Sequence, residues 1–240
     1  MKLFVVLTII INLLFCLKIH ANEVITVVTE DWPPYSYLLP NNEVSGIATS
    51  KVKQILEKAN IEYTLSLYPW GRSYEMALTQ KNVLIYSIYR HAKREASFQW
   101  ICPLLPKVKL HFFALAKNKY IQIDNIEDAM KFTVGVARKE IAATLLREKG
   151  FTDGKNMYFS VNDDINLQQL LKGKVEVIVS TMPSIKMRLE NMSQDFSQVK
   201  AFYLEELNVA TENCMAFGLR TSGELVEKVR QALKAVNGNS

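Results

Sequence analysis

Aromatic and basic side chains stand close together in the segment YPWGR, residues 68–72. Trp70 and Arg72 follow an apolar, strand-like run at 61–67. A guanidinium group can hold a carboxylate through two parallel hydrogen bonds, and an aromatic ring can cover the other side of a bound molecule. The segment therefore predicts either a ligand contact or a helix start that covers the core. The strands and helices predicted around this segment have to decide between the two alternatives.

The spacing of apolar residues predicts two rounds of alternating strands and helices. In the first round, strands are predicted at 24–29, 61–67 and 82–88, and helices at 47–60 and 72–80. In the second round, strands are predicted at 131–137, 156–161 and 175–180, and helices at 139–150, 164–173 and 182–192. This alternation is typical of right-handed parallel crossovers, so each round predicts one α/β lobe.

The remaining segments connect the two predicted lobes. The proline-marked passage 98–118 leaves the first round and ends in a strand. A strand at 214–220 and an amphipathic helix at 222–236 follow the second round. A chain that leaves one lobe and returns late crosses between the lobes twice, and such a pair of connections can act as a hinge.

Ligands of open α/β sheets bind outside the carboxyl ends of the strands. In the first lobe these ends carry Glu30, Asp31, Trp32, Tyr35, Tyr37, Trp70, Arg72, Tyr89, Arg90 and Arg94. In the second lobe they carry Arg138, Asp163, Asp164, Ser180 and Thr181. These residue types predict a cleft with tryptophan walls and an arginine fork, which suits a small ligand with an anionic group.

Several of these residues have a second interpretation that the sequence leaves open. Trp70 can be a core residue at a helix start, and Arg72 an exposed residue of the first turn. One of Arg90 and Arg94 can pair with the neighbouring Glu95 or with Asp31. Tertiary contacts are needed to separate these roles.

The N-terminal segment has the layout of a cleavable signal peptide. Lys2 precedes an apolar run over 3–17, and Ala21 precedes a polar pair. We predict cleavage after Ala21, which leaves residues 22–240 as a soluble, exported protein. Loss of the two lysines in this segment lowers the formal net charge from +5 to +3. Without a basic run in the mature part, we expect no nucleic-acid partner.

The remaining cysteines and histidines predict neither a metal site nor a cofactor. Cys102 and Cys214 lie far apart in sequence, and no metal-binding motif includes them. An oxidising compartment permits a disulfide between them. The sequence alone does not predict this bridge, because it does not bring the two Cα atoms within bridging distance.

An ordered set of segments carries a family resemblance. The segments are WPPYSY (32–37), SGI (45–47), RHAKREASFQWICP (90–103), VGVARKE (134–140), LLKGKVEVIVS (170–180) and MAFGLRTSGELVEKV (215–229). Together they resemble extracellular solute-binding family 3, the periplasmic binding proteins of the amino-acid type, over nearly all of 22–240.

The resemblance implies a type II, Venus-flytrap binding protein, with a mixed and mostly parallel sheet in each lobe. Lobe 1 is expected at 22–105 and 210–240, and lobe 2 at 106–209. The implied function is binding of a small solute for delivery by a monomeric protein to an ABC importer. A membrane receptor is the alternative partner, in which case the protein is a sensor.

The resemblance also assigns roles to single residues. Arg94 matches the family arginine that grips the ligand carboxylate, with Arg90 as the alternative and Ser87 as a helper. Two positions depart from the family pattern. Thr181 stands where the amine-binding acid is usual, and ARKE (137–140) stands where small residues open a helix. Arg138 or Lys139 then faces the cleft, and Glu30 or Asp164 is left to replace the amine partner.

A few proteins of this fold class are dehydratases of cyclohexadienyl acids, which provides an enzymatic alternative. Glu30 or Asp164 would then serve as the general acid. A strongly perturbed, desolvated carboxylate in the cleft would favour the enzyme, whereas an open, arginine-rich cleft would favour binding. We expect a binding protein without catalysis. Its predicted ligand-binding residues are Glu30, Trp32, Tyr35, Trp70, Arg72, Ser87, Arg90, Arg94, Arg138, Asp164 and Thr181.

Overall fold

The structure, a computed structural model, describes residues 24–208 and 212–238. The predicted signal peptide lies outside the described residues. Two five-stranded sheets form the centres of two α/β lobes, as the sequence predicts. Within the described part of the chain, no helix combines the length and the apolar character that a membrane span requires.

Lobe 1 contains the N-terminal strands and one strand from the end of the chain. Its strands are β1 (Ile25–Thr29), β2 (Tyr37–Leu38), β3 (Val44–Ser45), β4 (Tyr63–Leu67), β5 (Val83–Tyr89), β6 (Phe98–Leu105) and β12 (Asn213–Gly218). The main sheet has the order β4-β1-β5-β12-β6. β1 pairs parallel with β4 and β5, whereas β12 pairs antiparallel with β5 and β6.

Lobe 2 lies between β6 and β12 in sequence. Its strands are β7 (Leu110–Leu115), β8 (Val134–Ala137), β9 (Met157–Ser160), β10 (Val177–Thr181) and β11 (Val199–Phe202). The sheet order is β11-β7-β10-β8-β9. The pairs β8·β9 and β8·β10 are parallel, and β7 pairs antiparallel with β10 and β11. The chain therefore crosses between the sheets before β7 and again after β11.

Helices connect the strands in both lobes. Those of lobe 1 are α1 (Ile47–Lys58), α2 (Trp70–Thr79) and α7 (Gly223–Gly238), and those of lobe 2 are α3 (Ile126–Ala129), α4 (Ile141–Glu148), α5 (Asp163–Leu171) and α6 (Met182–Asn191). Short 3-10 helices span Ala92–Ser97, Phe196–Gln198 and Glu205–Leu207. In α1, Val52, Ile55 and Leu56 are fully buried, because their spacing places them on one face of the helix.

Two local features differ from the sequence-based prediction. The passage 98–118 contains two strands, since β6 occupies its first part and pairs with β12. The helix predicted at 164–173 begins one residue earlier, at Asp163, and Asn162 caps it by accepting a hydrogen bond from the Ile165 amide. Asp163 and Asp164 consequently occupy the first helical turn, where negative charge is favourable.

Cys102 of β6 and Cys214 of β12 form a disulfide. Their Cα atoms lie 4.6 Å apart because the two strands are neighbours in the sheet of lobe 1. The sequence did not predict this bridge, since 112 positions separate the two cysteines. Only the pairing of the late strand with the early lobe brings them together.

Candidate ligand-binding cleft

A small cavity lies between the two lobes. The residues that line it in lobe 1 are Glu30, Trp32, Trp70, Ser87, Tyr89 and Arg94, and those in lobe 2 are Leu110, Glu140, Ile141, Ala142, Asp163, Val179, Ser180 and Thr181. The volume of the cavity is about 40 Å³. At about 10–15 Å³ for each water molecule, this is room for roughly three. The lobes are therefore close together in this structure.

Arg94 is the single arginine among the residues that line the cavity. Its side chain is only 6% exposed. It donates to the Tyr89 carbonyl at 3.3 Å and to the Lys139 carbonyl at 2.7 Å. Within residues 24–208 and 212–238, no carboxylate lies within ion-pair distance of its guanidinium group. Burial lowers the pKa of Arg94, which is the expected direction for a cation taken out of water.

The Lys139 carbonyl is a meeting point of the two lobes. It accepts the Arg94 hydrogen bond and a second one from Trp70 Nε1 at 2.8 Å. The backbone of Lys139 is left-handed, with a φ of 63°. Its side chain is exposed and pairs with Glu75 at 3.4 Å. Lys139 therefore contributes its carbonyl, and not its charge, to the inner face of the cleft.

Three carboxyl groups approach one another in the cavity. Glu30 follows β1, Glu140 directly precedes α4, and Asp163 opens α5. Glu30 belongs to lobe 1 and Glu140 to lobe 2, and both side chains line the same small cavity. Burial, followed by the negative charge of Asp163, raises the pKa of Glu30 to about 8. The same two causes raise the pKa of Glu140, and burial raises that of Asp163.

Hydroxyl groups line the cavity without protein partners. Ser87 Oγ, the Tyr89 hydroxyl and Thr181 Oγ1 are buried, and none has a hydrogen-bond partner among the described residues. Buried polar groups are normally satisfied, so these hydroxyls are suited to hydrogen-bond a solute that enters the cavity. Ser87 also has a φ of 62°. A backbone conformation that non-glycine residues rarely adopt is found most often at functional sites.

A second interlobe contact lies beside the cavity and is centred on Arg188 of α6. Arg188 is 2% exposed. It donates to Asp31 Oδ2 at 2.9 Å and to the Asp31 carbonyl at 2.7 Å, both in lobe 1. It also donates to Asp164 and, at 3.3 Å, to Ser184. The charge of this arginine is thus balanced within the protein.

Of the residues predicted from the sequence, six line the cavity and five do not. Those that line it are Glu30, Trp32, Trp70, Ser87, Arg94 and Thr181. Those outside it are Tyr35, Arg72, Arg90, Arg138 and Asp164. Whether any of the eleven binds a ligand stays a prediction, because no ligand is present.

The five outlying residues have partners within the protein. Tyr35 packs against Trp32, with ring centroids 4.2 Å apart. Arg72 lies over the Tyr68 ring, Arg90 pairs with Glu95, Arg138 lies over the Phe159 ring, and Asp164 pairs with Arg188. Among the described residues, Arg94 is thus the one predicted arginine that lines the cavity, and carboxyl groups outnumber its guanidinium there.

The sequence-based site omitted Glu140, Asp163 and Arg188. Glu140 faces the cavity where Arg138 or Lys139 was expected, because the left-handed turn at Lys139 directs the next residue inward. The sequence places Asp163 at a strand end, but the predicted ligand-binding residues include Asp164, its neighbour in the same helical turn, and not Asp163. No sequence signal marks Arg188, which is a basic residue within an amphipathic helix.

No protein-family model matches the chain, and no curated protein matches it. Solved structures with the same fold do match. A histidine kinase sensor domain with similarity to periplasmic binding proteins has a TM-score of 0.77 at 17% identity, over 91% of this chain and 92% of that one. An ancestral arginine-binding protein bound to arginine has a TM-score of 0.77 at 17% identity, over 92% and 95%.

A third similar structure is ArtJ, an arginine-, lysine-, histidine-binding protein from the thermophilic bacterium Geobacillus stearothermophilus. Its TM-score is 0.77 at 18% identity, over 90% of each chain. At such identities the likeness concerns the fold. This chain therefore has the two-lobed fold of periplasmic binding proteins, which confirms the fold that the sequence resemblance predicted.

Proposed function

We propose that this protein binds a small amino-acid-like solute between its lobes without changing it chemically. The two lobes close on the ligand, which shifts the equilibrium between open and closed forms through its higher affinity for the closed form. The ligand carboxylate lies against Arg94, and its ammonium group lies among Glu30, Glu140 and Asp163.

The observation that carries this proposal is the state of Arg94. A nearly buried guanidinium group with no carboxylate partner among the described residues is costly, unless another anion compensates it. Its hydrogen bonds to two carbonyls use two of its five N–H donors. Donors that remain beside a cavity suit the fork of a ligand carboxylate.

The acidic groups support an amine on the same ligand. In the family that the sequence resembles, an acid usually stands where this chain has Thr181. Here Glu30, Glu140 and Asp163 lie in the cavity instead, so other positions offer the negative charge that an ammonium group requires. Two of the structurally similar proteins bind arginine, which is consistent with an acid-lined cleft.

We extend the proposal to the cellular context. The protein is exported through its signal peptide and acts as a periplasmic monomer, and its closed form is recognised by an ABC permease or by a membrane receptor. The similar structures include an arginine-binding protein and a histidine kinase sensor domain, which is consistent with either partner.

A ligand screen by thermal unfolding tests the proposal. The panel contains L-arginine, L-lysine, L-histidine, L-glutamine, succinate and a cyclohexadienyl carboxylic acid. At a hundredfold excess over its dissociation constant, a ligand stabilises the folded state by about 2.7 kcal/mol. We expect stabilisation by at least one amino acid. If succinate stabilises the protein and none of the amino acids does, the assignment of an amine site is wrong.

One observation favours an enzyme as the second candidate. Glu30 has a pKa raised to about 8, so its carboxyl group holds a proton at neutral pH and can act as a general acid. The reaction would be the dehydration of a cyclohexadienyl acid. The test is chromatography of that compound after incubation with the protein. Its consumption would replace the binding proposal, whereas recovery of the intact compound would remove the enzyme.

A further inference from the structure

A pair of carboxyl groups joins the two lobes inside the cavity. Glu30 belongs to lobe 1 and Glu140 to lobe 2, and both line the same small cavity together with Asp163. Two ionised carboxylates in so small a buried space repel each other, and an ionised carboxylate can only accept hydrogen bonds. The two groups can therefore bond to each other only if the pair holds one proton, and they meet only while the lobes are together.

Charged and titratable groups face this pair from every side. They are Arg94 from the 3-10 helix that follows β5, Tyr89 from the end of β5, Asp163 from the first turn of α5, and Arg188 from α6. Asp31 and Asp164 lie one step further away and pair with Arg188. The positive charges of Arg188 and Arg94 lower the pKa of Glu30, but burial and the negative charge of Asp163 outweigh them.

We propose that the proton shared by Glu30 and Glu140 is a pH-dependent latch that holds the lobes closed in the absence of ligand. With the proton in place, the pair is a hydrogen bond between the lobes. Without it, two carboxylates oppose each other and Asp163 adds a third negative charge. The lobes then separate until water solvates the carboxylates.

The direction of the effect follows from proton linkage. In the closed form the pKa of Glu30 is about 8, whereas a solvated glutamate in open lobes has a pKa of about 4.3. Between these values the open form has lost the proton and the closed form has kept it. Closure therefore takes up one proton, and its equilibrium constant falls about tenfold for each pH unit as the pH rises.

Besides the ion pairs of Arg188 with Asp31 and of Lys139 with Glu75, the lobes make contacts of two kinds. The hydrogen bonds from Trp70 and Arg94 to the Lys139 carbonyl involve no group that titrates near neutral pH. His91 of lobe 1 and Glu148 of lobe 2 lie 3.4 Å apart, so a second ionisable contact crosses between the lobes. This outer contact is the competing source of pH dependence.

Small-angle X-ray scattering of the ligand-free protein, from about pH 5 to about pH 8.5, measures the closure directly. We expect the radius of gyration of the wild type to increase with pH, as the closing constant falls about tenfold for each pH unit. Glu140→Gln keeps the shape of the side chain and its hydrogen bond without the ionisable proton, and it should stay compact at the higher pH values. Glu30→Gln should behave in the same way from the other lobe.

Glu148→Gln is the matched control, because it removes the ionisable partner of His91 and leaves the cavity intact. We expect this variant to keep the wild-type pH dependence. The proposal would be overturned if Glu148→Gln lost the pH dependence of the radius of gyration. It would also be overturned if Glu30→Gln and Glu140→Gln both kept that dependence. A wild type whose size does not change with pH would do the same.

A measurement on the unmodified protein covers the case in which the glutamine variants do not fold. Carbon NMR of the glutamate side chains gives the titration of Glu30 and Glu140 in the wild type, and two ordinary values near 4.3 would overturn the proposal. The inference goes beyond the proposed function and depends on the cleft alone. Since no ligand is present in these experiments, their failure is distinct from failure of the ligand screen.

Discussion

Two buried arginines join the lobes, and they differ in what balances their charge. Arg188 lies among Asp31, Asp164 and Ser184. Arg94 is held by two backbone carbonyls, and no carboxylate lies within ion-pair distance of it in the described part of the chain. A balanced arginine stabilises the contact between the lobes. An arginine left unbalanced beside a cavity has a place for the anionic group of a ligand.

The acidic residues differ in the same way. Asp31 and Asp164 have their cation within the protein, whereas Glu30, Glu140 and Asp163 crowd together in the cavity. Groups that the protein leaves unsatisfied are the ones that a ligand or a proton can satisfy. The comparison thus separates a structural contact from a candidate binding site that lies beside it.

Replacing Arg94 should have the largest effect on ligand binding. Arg94→Ala removes two or more hydrogen bonds to a carboxylate, each of which contributes about 1.5–3 kcal/mol, so the Kd should rise roughly a hundredfold or more. Isothermal titration calorimetry with the ligand identified by the thermal screen provides the measurement. Arg90→Ala is the control, because Arg90 pairs with Glu95 outside the cavity, and its Kd should not change.

Two results would contradict this assignment. Unchanged affinity in Arg94→Ala would separate the guanidinium from the ligand. An equal loss of affinity in Arg90→Ala would mean that the ligand carboxylate had been assigned to the wrong arginine. Circular dichroism of both variants verifies that the folded structure is retained.

Replacing Arg188 should chiefly affect stability. Arg188→Met leaves Asp31 and Asp164 without their cation, but these side chains are 33% and 43% exposed. The loss should therefore stay below the 3–5 kcal/mol of a fully buried broken pair, at about 1–3 kcal/mol in the free energy of unfolding. Urea denaturation at neutral pH measures it.

Lys186→Met serves as the control for Arg188, because Lys186 is exposed on the same helix. Its effect should lie within about 0.5 kcal/mol. Equal stabilities of the two variants would mean that the ion pairs of Arg188 contribute nothing net. The difference between Arg188 and Arg94 would then concern ligand binding only, and not stability.

The smallest effect is expected from the indole of Trp70. Trp70→Phe keeps most of the ring and removes the hydrogen bond to the Lys139 carbonyl. A bond of this kind contributes about 0.5–1.5 kcal/mol to closure, so the Kd should rise roughly two- to tenfold. Trp100→Phe is the matched control, since its indole donates to Glu95 within lobe 1 at 3.1 Å. A lower melting temperature with an unchanged Kd would make Trp70 a core residue only.

Much of the fold could be predicted from the sequence. The β-branched run before Glu30 is β1, and the spacing of Val52, Ile55 and Leu56 predicted α1. These predictions succeeded because local periodicity determines which face of an element is buried. The rule that ligands bind at the carboxyl ends of strands also led to Trp70, Ser87 and Thr181, which line the cavity.

The disulfide and the late strand show where local patterns are insufficient. β12 enters the sheet of lobe 1 from the far end of the chain, and it brings Cys214 to Cys102. The same long-range pairing gives the passage 98–118 a strand that its prolines concealed. Pairings of this kind depend on the whole sheet and leave little local signal.

By itself, the sequence determined the two α/β rounds, their order and the loops that carry polar residues. Only the tertiary structure decided which of several neighbours faces the cavity: Arg94 and not Arg90, Glu140 and not Arg138, Asp163 and not Asp164. The reason is geometric. A shift of one residue rotates a side chain by about 100° around a helix, and a left-handed residue such as Lys139 changes the direction in which the next side chain points. The meeting of Glu30 with Glu140 arises only when the two lobes close.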